Sequence, residues 1–170
     1  MLNKNYFNWS VSKTQELPIN SLKLWEIISQ RSNLEFFHPF CEKNPITSWD
    51  NTKHKDEVHY YNGLIFKRNI IKWMDGDGYD LLIGKNNGAK SFVSWRIINN
   101  EVGSILSITI YPYLFNKNLK LINYIPFYII VKPSLTLYLN SIMKGILFYI
   151  KTGQKVEKNQ FGNHIWFSKK

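Results

Sequence analysis

Closely spaced turn signals divide the middle of the chain, and they constrain its fold more than any other feature. Four breaks rich in Asn, Asp and Gly follow one another there: Asn62-Gly63, Asp75–Gly78, Asn86–Gly88 and Asn99–Gly103. Asn-Gly pairs of this kind are strong hairpin signals. Between the breaks lie runs rich in β-branched and aromatic residues, at 56–61, 64–74, 79–85, 89–98 and 104–113. Consecutive strands joined by tight turns form an antiparallel meander.

A strand and two short helices are predicted before the meander. Residues 6–17 alternate apolar and polar side chains, which is the period of a half-buried strand. Two short helices are expected next, with N-caps at Asn20 or Ser21 and at Ser32 or Asn33. This order places both helices directly after the first strand.

A further strand and a long helix complete the pattern. The run 46–49 is a candidate strand, which gives about seven strands in all. The last helix is predicted to begin at Pro133, a residue favoured in a first helical turn, and to end at Lys151 before Gly153. Apolar residues recur along it at helical spacing, and they are Leu135, Tyr138, Leu139, Ile142, Ile146, Tyr149 and Ile150.

This order of elements resembles the START-like superfamily, also called SRPBCC or helix-grip, which includes polyketide cyclase/dehydrase-like proteins. Three local sequences also resemble an uncharacterised bacterial branch of it: Leu34–Cys41, Ser94–Arg96 and Asn159–Gly162. The resemblance implies an α+β fold in which a curved antiparallel sheet wraps around the long C-terminal helix. It also implies that residues 1–170 form one START-like domain.

Two segments depart from the simple pattern. Residues 114–132 form an apolar insertion before the last helix, too short and too interrupted to span a membrane. The sequence leaves open whether it is a lid, a membrane contact or part of the core. The tail 154–170 is too aromatic to stay in water, so we expect it to pack back through Trp166 and Phe167.

Charge and cysteine content limit the partners. The chain has 22 Lys and Arg against 12 Asp and Glu, a net charge of +10, yet adjacent basic residues occur only at Lys67-Arg68 and Lys169-Lys170. We therefore expect no nucleic-acid partner. Cys41 is the only cysteine, which favours a reducing, cytoplasmic location, with peripheral membrane contact left open. We expect no cofactor and no metal, because the spacing of His38 and Cys41 is a weak metal signal on its own.

The resemblance implies a ligand site between the concave face of the sheet and the last helix. Leu135, Leu139, Ile142 and Ile146 would be its walls, although periodicity alone fits an ordinary core equally well.

Strand register gives two predictions about arginines. A two-residue turn at Asn62-Gly63 places Arg68 opposite Glu57, which favours a structural ion pair over a ligand contact. A two-residue loop within 86–88 puts Arg96 on an apolar face with no carboxylate, so Arg96 is the candidate anchor for a polar ligand end. A three-residue loop would shift this register by one. The remaining predicted ligand contacts are Tyr79, Leu81, Phe92, Tyr111 and His38.

Three functions fit the sequence, and the first is favoured because no dense, mutually placed set of His and carboxylate groups stands out. The first is binding or transport of a hydrophobic small molecule, such as a lipid, quinone, isoprenoid or polyketide, in an internal cavity. The second is a cyclase or dehydrase on the same scaffold, in which Arg96, Tyr79, Tyr111 or His38 polarises a carbonyl or moves a proton. The third is an adaptor at a membrane surface. Ligand identity and oligomeric state are not encoded in any recognisable motif.

Overall fold

One curved antiparallel sheet frames the protein in the computed structural model, which describes residues 2–50, 52–117 and 119–168. Its strands are β1 Val11–Leu17, β2 Cys41–Lys43, β3 Ile46–Trp49, β4 His54–Tyr60, β5 Ile65–Met74, β6 Gly78–Gly84, β7 Ser91–Asn100 and β8 Gly103–Tyr111. The order across the sheet is β1-β8-β7-β6-β5-β4-β2, with β3 also paired to β4. The predicted α+β class and meander are confirmed, and the described residues hold one strand more than the seven expected, because β2 and β3 both pair with β4.

Helices cover one face of this sheet. They are α1 Ser21–Ser29, α2 Leu34–Phe37, α3 Lys120–Pro126, a π-helical segment Phe127–Val131 and α4 Lys132–Thr152, and a short 3₁₀ turn spans Lys4–Tyr6. Asn20 caps α1, since its Oδ1 accepts a hydrogen bond from the Lys23 amide at 2.8 Å. Gly153 ends α4 in the left-handed conformation, with φ of 68°.

The core lies between the inner sheet face and α4. Leu139, Ile142 and Ile146 of the predicted stripe are buried there, against inward residues such as Leu106 and Ile108 of β8. Alternation of buried and half-exposed residues along β8 confirms that one face of this strand points inward.

The first strand is shorter than predicted. It begins at Val11, because residues 8 and 9 are held by the buried side chain and backbone of Asn116 instead of by the sheet. The Trp9 amide donates to Asn116 Oδ1 at 2.7 Å, and the Trp9 ring lies 4.9 Å from that of Phe127. This contact attaches the N-terminal segment to the apolar insertion.

The C-terminal tail runs back over the domain. The amides of Val156 and Asn159 donate to the carbonyls of Phe36 and Pro39, each at 2.9 Å. Further on, the ring of Phe167 stacks on Tyr60 at 4.5 Å. The predicted basic pair Lys169-Lys170 lies outside the described residues.

Candidate functional site

The turn between β4 and β5 brings Arg68 into the interior. The predicted two-residue turn is wrong: the amide of Tyr60 donates to the Leu64 carbonyl, which leaves a three-residue loop ending at Gly63 with φ of 86°. The register therefore shifts by one residue, and Arg68 lies opposite Asp56 instead of Glu57.

Arg68 and Asp56 form a buried, two-point ion pair. Arg68 Nε and Nη2 donate to the two carboxylate oxygens at 2.7 and 2.6 Å, and the side chains are only 4% and 1% exposed. The predicted ion-pair role of Arg68 is confirmed with a different partner. Burial opposes the charge, but the adjacent Asp56 carboxylate raises the pKa of Arg68 above its ordinary value. Burial raises the pKa of Tyr79, and the Arg68 guanidinium, which lies within hydrogen-bonding reach of the Tyr79 hydroxyl, partly offsets this effect.

A second polar group lies across the interior, on α4 and the chain after α2. His38 Nε2 is 2.8 Å from the hydroxyl of Tyr138, which is 3.1 Å from that of Tyr60. The Phe40 amide donates to His38 Nδ1, so a neutral His38 carries its proton on Nε2 and donates to Tyr138. Whichever tyrosine donates to the other, one phenolic hydrogen is left without an acceptor in this chain of three groups.

These groups line an internal cavity of about 90 Å³ between the sheet and α4. Apart from Arg68 and the His38–Tyr138–Tyr60 chain its walls are mainly apolar. Five of the predicted ligand contacts lie here, and they are His38, Leu81, Leu135, Leu139 and Ile142. Among the wall residues that were not predicted as ligand contacts are the polar groups Arg68, Tyr60 and Tyr138. The stripe periodicity places Tyr138 on the inner face of α4. The inward position of Tyr60 and Arg68 was missed because the predicted β4–β5 register differs by one residue from the observed one.

An apolar cleft of about 330 Å³ adjoins the cavity. Residues that line both spaces are Phe66, Ser91, Ile110, Leu135 and Phe167. Phe167 is held in this position because His164, in the same turn of the tail, bonds through Nε2 to the Ser134 carbonyl of α4 at 2.9 Å. The tail therefore supplies part of the wall between cavity and cleft.

Arg96 does not lie in this cavity, and its predicted environment is wrong. The last paired residues of β6 and β7 are Ile83 and Ser91, which leaves the seven residues 84–90 between them. Asp80 therefore pairs with Ser94 and shares the outer face with Arg96. Arg96 Nη2 donates to Asp80 Oδ1 at 2.6 Å, in a pair that is 36% and 12% exposed. A one-residue difference from the predicted register moves the arginine to the other side of the sheet.

Four other predicted contacts also lie outside the cavity walls. Phe92 and Tyr111 line a groove on the outer face together with Arg96, not the internal cavity. Tyr79 is buried and stacks between Trp73 and Trp95, at 6.0 and 5.5 Å. Ile146 is fully buried in the core beyond the cavity walls.

Cys41 is buried, and this burial raises the pKa of its thiol to about 12. At neutral pH it therefore remains a thiol rather than a nucleophilic thiolate. Across the described ranges, no group of three or more His, Cys, Asp or Glu side chains is arranged to hold a metal ion.

Comparisons with known proteins bear on the fold. No family model matches the sequence, and no curated protein matches it. A START superfamily protein from Mycobacterium smegmatis has a similar structure, with a TM-score of 0.64 and 15% identity over 85% of this chain and 99% of that one. The chain has the START-like fold.

Two other solved structures share this START-like architecture. A protein from Thermus thermophilus has a TM-score of 0.65 and 10% identity, covering 85% of this chain and 99% of that one. DynU16, a protein in the dynemicin biosynthetic locus, has a TM-score of 0.64 and 13% identity, covering 88% of this chain and 51% of that one. The predicted helix-grip arrangement of sheet and long C-terminal helix is thereby confirmed.

The two Arg–Asp pairs of the START-like sheet allow a matched test of burial. Asp56→Asn should lower the free energy of unfolding by about 3–5 kcal/mol, because it leaves the buried Arg68 charge uncompensated. Asp80→Asn should cost less, about 1–2 kcal/mol, because Arg96 stays in contact with water although Asp80 is only 12% exposed and also accepts from Ser94. Urea unfolding followed by tryptophan fluorescence measures both, and equal losses would contradict the assigned environments.

The buried His38 should make the stability of the START-like fold depend on pH. Desolvation, helped by the charge of Arg68, lowers the pKa of His38 to about 3, while the unfolded chain has its ordinary value of 6.5. Between these values the unfolded chain binds more protons, so stability rises with pH and falls on acidification below pH 6.5.

Between pH 7 and pH 5 this loss amounts to about 2 kcal/mol for His38. The His38→Gln variant should lose correspondingly less stability over the same interval, as measured by urea unfolding at each pH. If wild type and variant show the same difference between the two pH values, His38 is not held neutral in the fold.

Proposed function

We propose that this protein binds an elongated hydrophobic small molecule, with a polar end in the cavity beside Arg68 and an apolar remainder in the adjoining cleft. The observation that carries the proposal is a mainly apolar cavity with the buried guanidinium of Arg68 in its wall. Pockets that bind small molecules combine apolar walls with a few convergent polar groups.

The charge state of the cavity favours a particular polar end. Asp56 already neutralises Arg68, so a ligand carboxylate would bring an unpaired negative charge into an apolar interior. A neutral acceptor, such as a carbonyl or ester oxygen, accepts a hydrogen bond from the guanidinium without that cost. The unpaired phenolic hydrogen of the Tyr60–Tyr138 pair is a second donor for the same ligand end.

The dimensions favour a long molecule. A cavity of about 90 Å³ encloses only the end of a typical ligand, whereas the cleft of about 330 Å³ falls within the roughly 300–1,000 Å³ of ordinary ligand sites. Since both spaces share walls at Phe66, Leu135 and Phe167, one molecule can occupy both.

Binding is favoured over cyclase or dehydrase chemistry by the state of the polar groups. Burial lowers the pKa of His38 to about 3, so His38 is neutral at physiological pH, and burial raises the pKa of Tyr79 to about 12. Groups with such values donate hydrogen bonds at neutral pH but are poorly matched to proton transfer. The residues named for the enzymatic alternative are also divided between the two faces of the sheet, with Arg96 and Tyr111 outside.

A co-purifying ligand can be weighed directly by native mass spectrometry of protein from its own host. Wild type should carry a bound mass, and Ile83→Trp should lose it because the indole fills the cavity. Ile98→Trp, a matched change at an exposed position of β7, should keep the bound mass. Equal retention in both variants would rule out the cavity as the ligand site.

The polar end can be tested with a chosen pair of probes, a long-chain methyl ketone and the alkane of equal length. Wild type should prefer the ketone by about tenfold, the value of one hydrogen bond to a charged donor. A double variant Asp56→Leu and Arg68→Met replaces the ion pair by apolar side chains and should keep the fold while losing that preference. Isothermal titration with both probes measures it, and an unchanged preference would count against Arg68.

A further inference from the structure

The apolar insertion exposes an unusual amount of hydrophobic surface. Helix α3 and the π-helical segment continue directly into α4, so the insertion is an extension of that helix and not a separate helix buried beside it. Only Phe127 and Val131 of these two elements are buried. The exposed apolar residues of the extension and the residue before it are Leu119, Leu121, Ile122, Tyr124, Ile125, Ile129 and Ile130.

These residues form a stripe on one side of a fixed helix. Leu121, Ile125 and Ile129 follow one another at intervals of four, so their side chains lie on one helical face. On the opposite side Phe127 packs on Trp9 at 4.9 Å, which attaches the extension to the domain. The stripe, defined here as Leu121, Ile122, Ile125 and Ile129, therefore points away from the core.

The surroundings of the stripe are uniformly basic. Lys117, Lys120 and Lys132 flank it, and none of them forms an ion pair within the described residues. The sequence from Val102 to Val156 contains no Asp or Glu. Lys132 Nζ lies 4.8 Å from the centre of the Tyr128 ring, so aromatic and cationic groups alternate at the edge of the stripe.

We propose that the stripe docks on the surface of an anionic lipid bilayer, with α3 lying in the plane of the interface. An amphipathic helix with an apolar face, flanking lysines and tyrosines at the boundary has the composition that binds there. No helix in the described part of the chain is long and apolar enough to cross a membrane.

Charge argues against a second copy of this chain as the occupant. A symmetric dimer through the stripe would bring the lysines of one copy towards those of the other, and the sequence from Val102 to Val156 supplies no Asp or Glu to compensate. Anionic headgroups supply the missing negative charge at the same distance from the apolar stripe.

Docking would also explain how the ligand is loaded, a step that rests on the proposed function. Tyr113, Leu114 and Val131 line the cleft and belong to the same segment as the stripe or to the chain leading into it. The cleft would then lie beside the bilayer, and the ligand would be a membrane-resident lipid with a neutral polar end.

Vesicle co-sedimentation tests the docking with two matched variants. Leu121 and Val102 are both 90% exposed, but Val102 lies in the β7–β8 turn, at the far end of a nine-residue strand about 30 Å long. Vesicles of equal parts phosphatidylcholine and phosphatidylglycerol should bind wild type and Val102→Glu, while Leu121→Glu loses about tenfold in partition coefficient. Circular dichroism checks that each variant is folded.

Charge and salt give a second arm that does not depend on the apolar substitution. Lys120→Glu should weaken binding to the same vesicles, added salt should weaken binding of wild type, and pure phosphatidylcholine should bind less than the mixture. The proposal is overturned if Leu121→Glu binds the vesicles like wild type, or if Val102→Glu lowers the partition coefficient as much as Leu121→Glu does. It is also overturned if the partition coefficient is the same with and without anionic lipid. Light scattering that shows a lipid-free dimer broken by Leu121→Glu would assign the stripe to a second copy instead.

The Ile83→Trp variant separates this proposal from the proposed function. Its cavity is filled but its stripe is unchanged, so it should bind anionic vesicles like wild type while carrying no ligand. If it binds vesicles and still retains the ligand, the cavity assignment fails and the docking surface stands.

Discussion

The buried ion pair between Arg68 and Asp56 is the interaction on which the interior of this protein depends. Two opposite charges at 2.6 Å with almost no exposure are stable only while each stays paired with the other, since removal of either leaves a charge in an apolar environment. The pair therefore requires one register of β4 and β5, and that register decides which side chains of both strands face α4.

The two Arg–Asp contacts of this sheet have similar geometry but contribute differently to stability because they differ in burial. Arg96 and Asp80 repeat the cross-strand Arg–Asp contact at the same distance on the outer face, where water screens it. On the inner face the pair has apolar neighbours, and it meets the His38–Tyr138–Tyr60 chain across a small cavity. The tail adds Phe167 to the wall of this interior, and the chain before α3 adds Leu114 to the wall of the adjoining cleft.

Local signals predicted the elements of the fold well, because turns, caps and amphipathic stripes depend on nearby residues. The Asn20 cap, the Gly153 stop and the stripe of α4 all appear as the sequence indicated. The candidate site was predicted less well, because strand facing depends on whether a loop has an odd or an even number of residues. Asn62-Gly63 favours a two-residue turn locally, but the chain forms a three-residue loop. Between β6 and β7, residues 84–90 separate the paired Ile83 and Ser91, again an odd number where the Asn-Gly signal implied two.

The sequence by itself determined the α+β class, the order of strands and helices, and the basic, apolar character of the segment before the last helix. Each of these follows from periodicity, turn chemistry or charge that is read within a few residues. Only the tertiary structure decided that Arg68 and not Arg96 lies inside, that Phe167 returns to the cavity, and that the helical extension is left exposed. Those outcomes depend on register and on contacts between residues far apart in the chain, such as Trp9 with Phe127, and no local pattern encodes them.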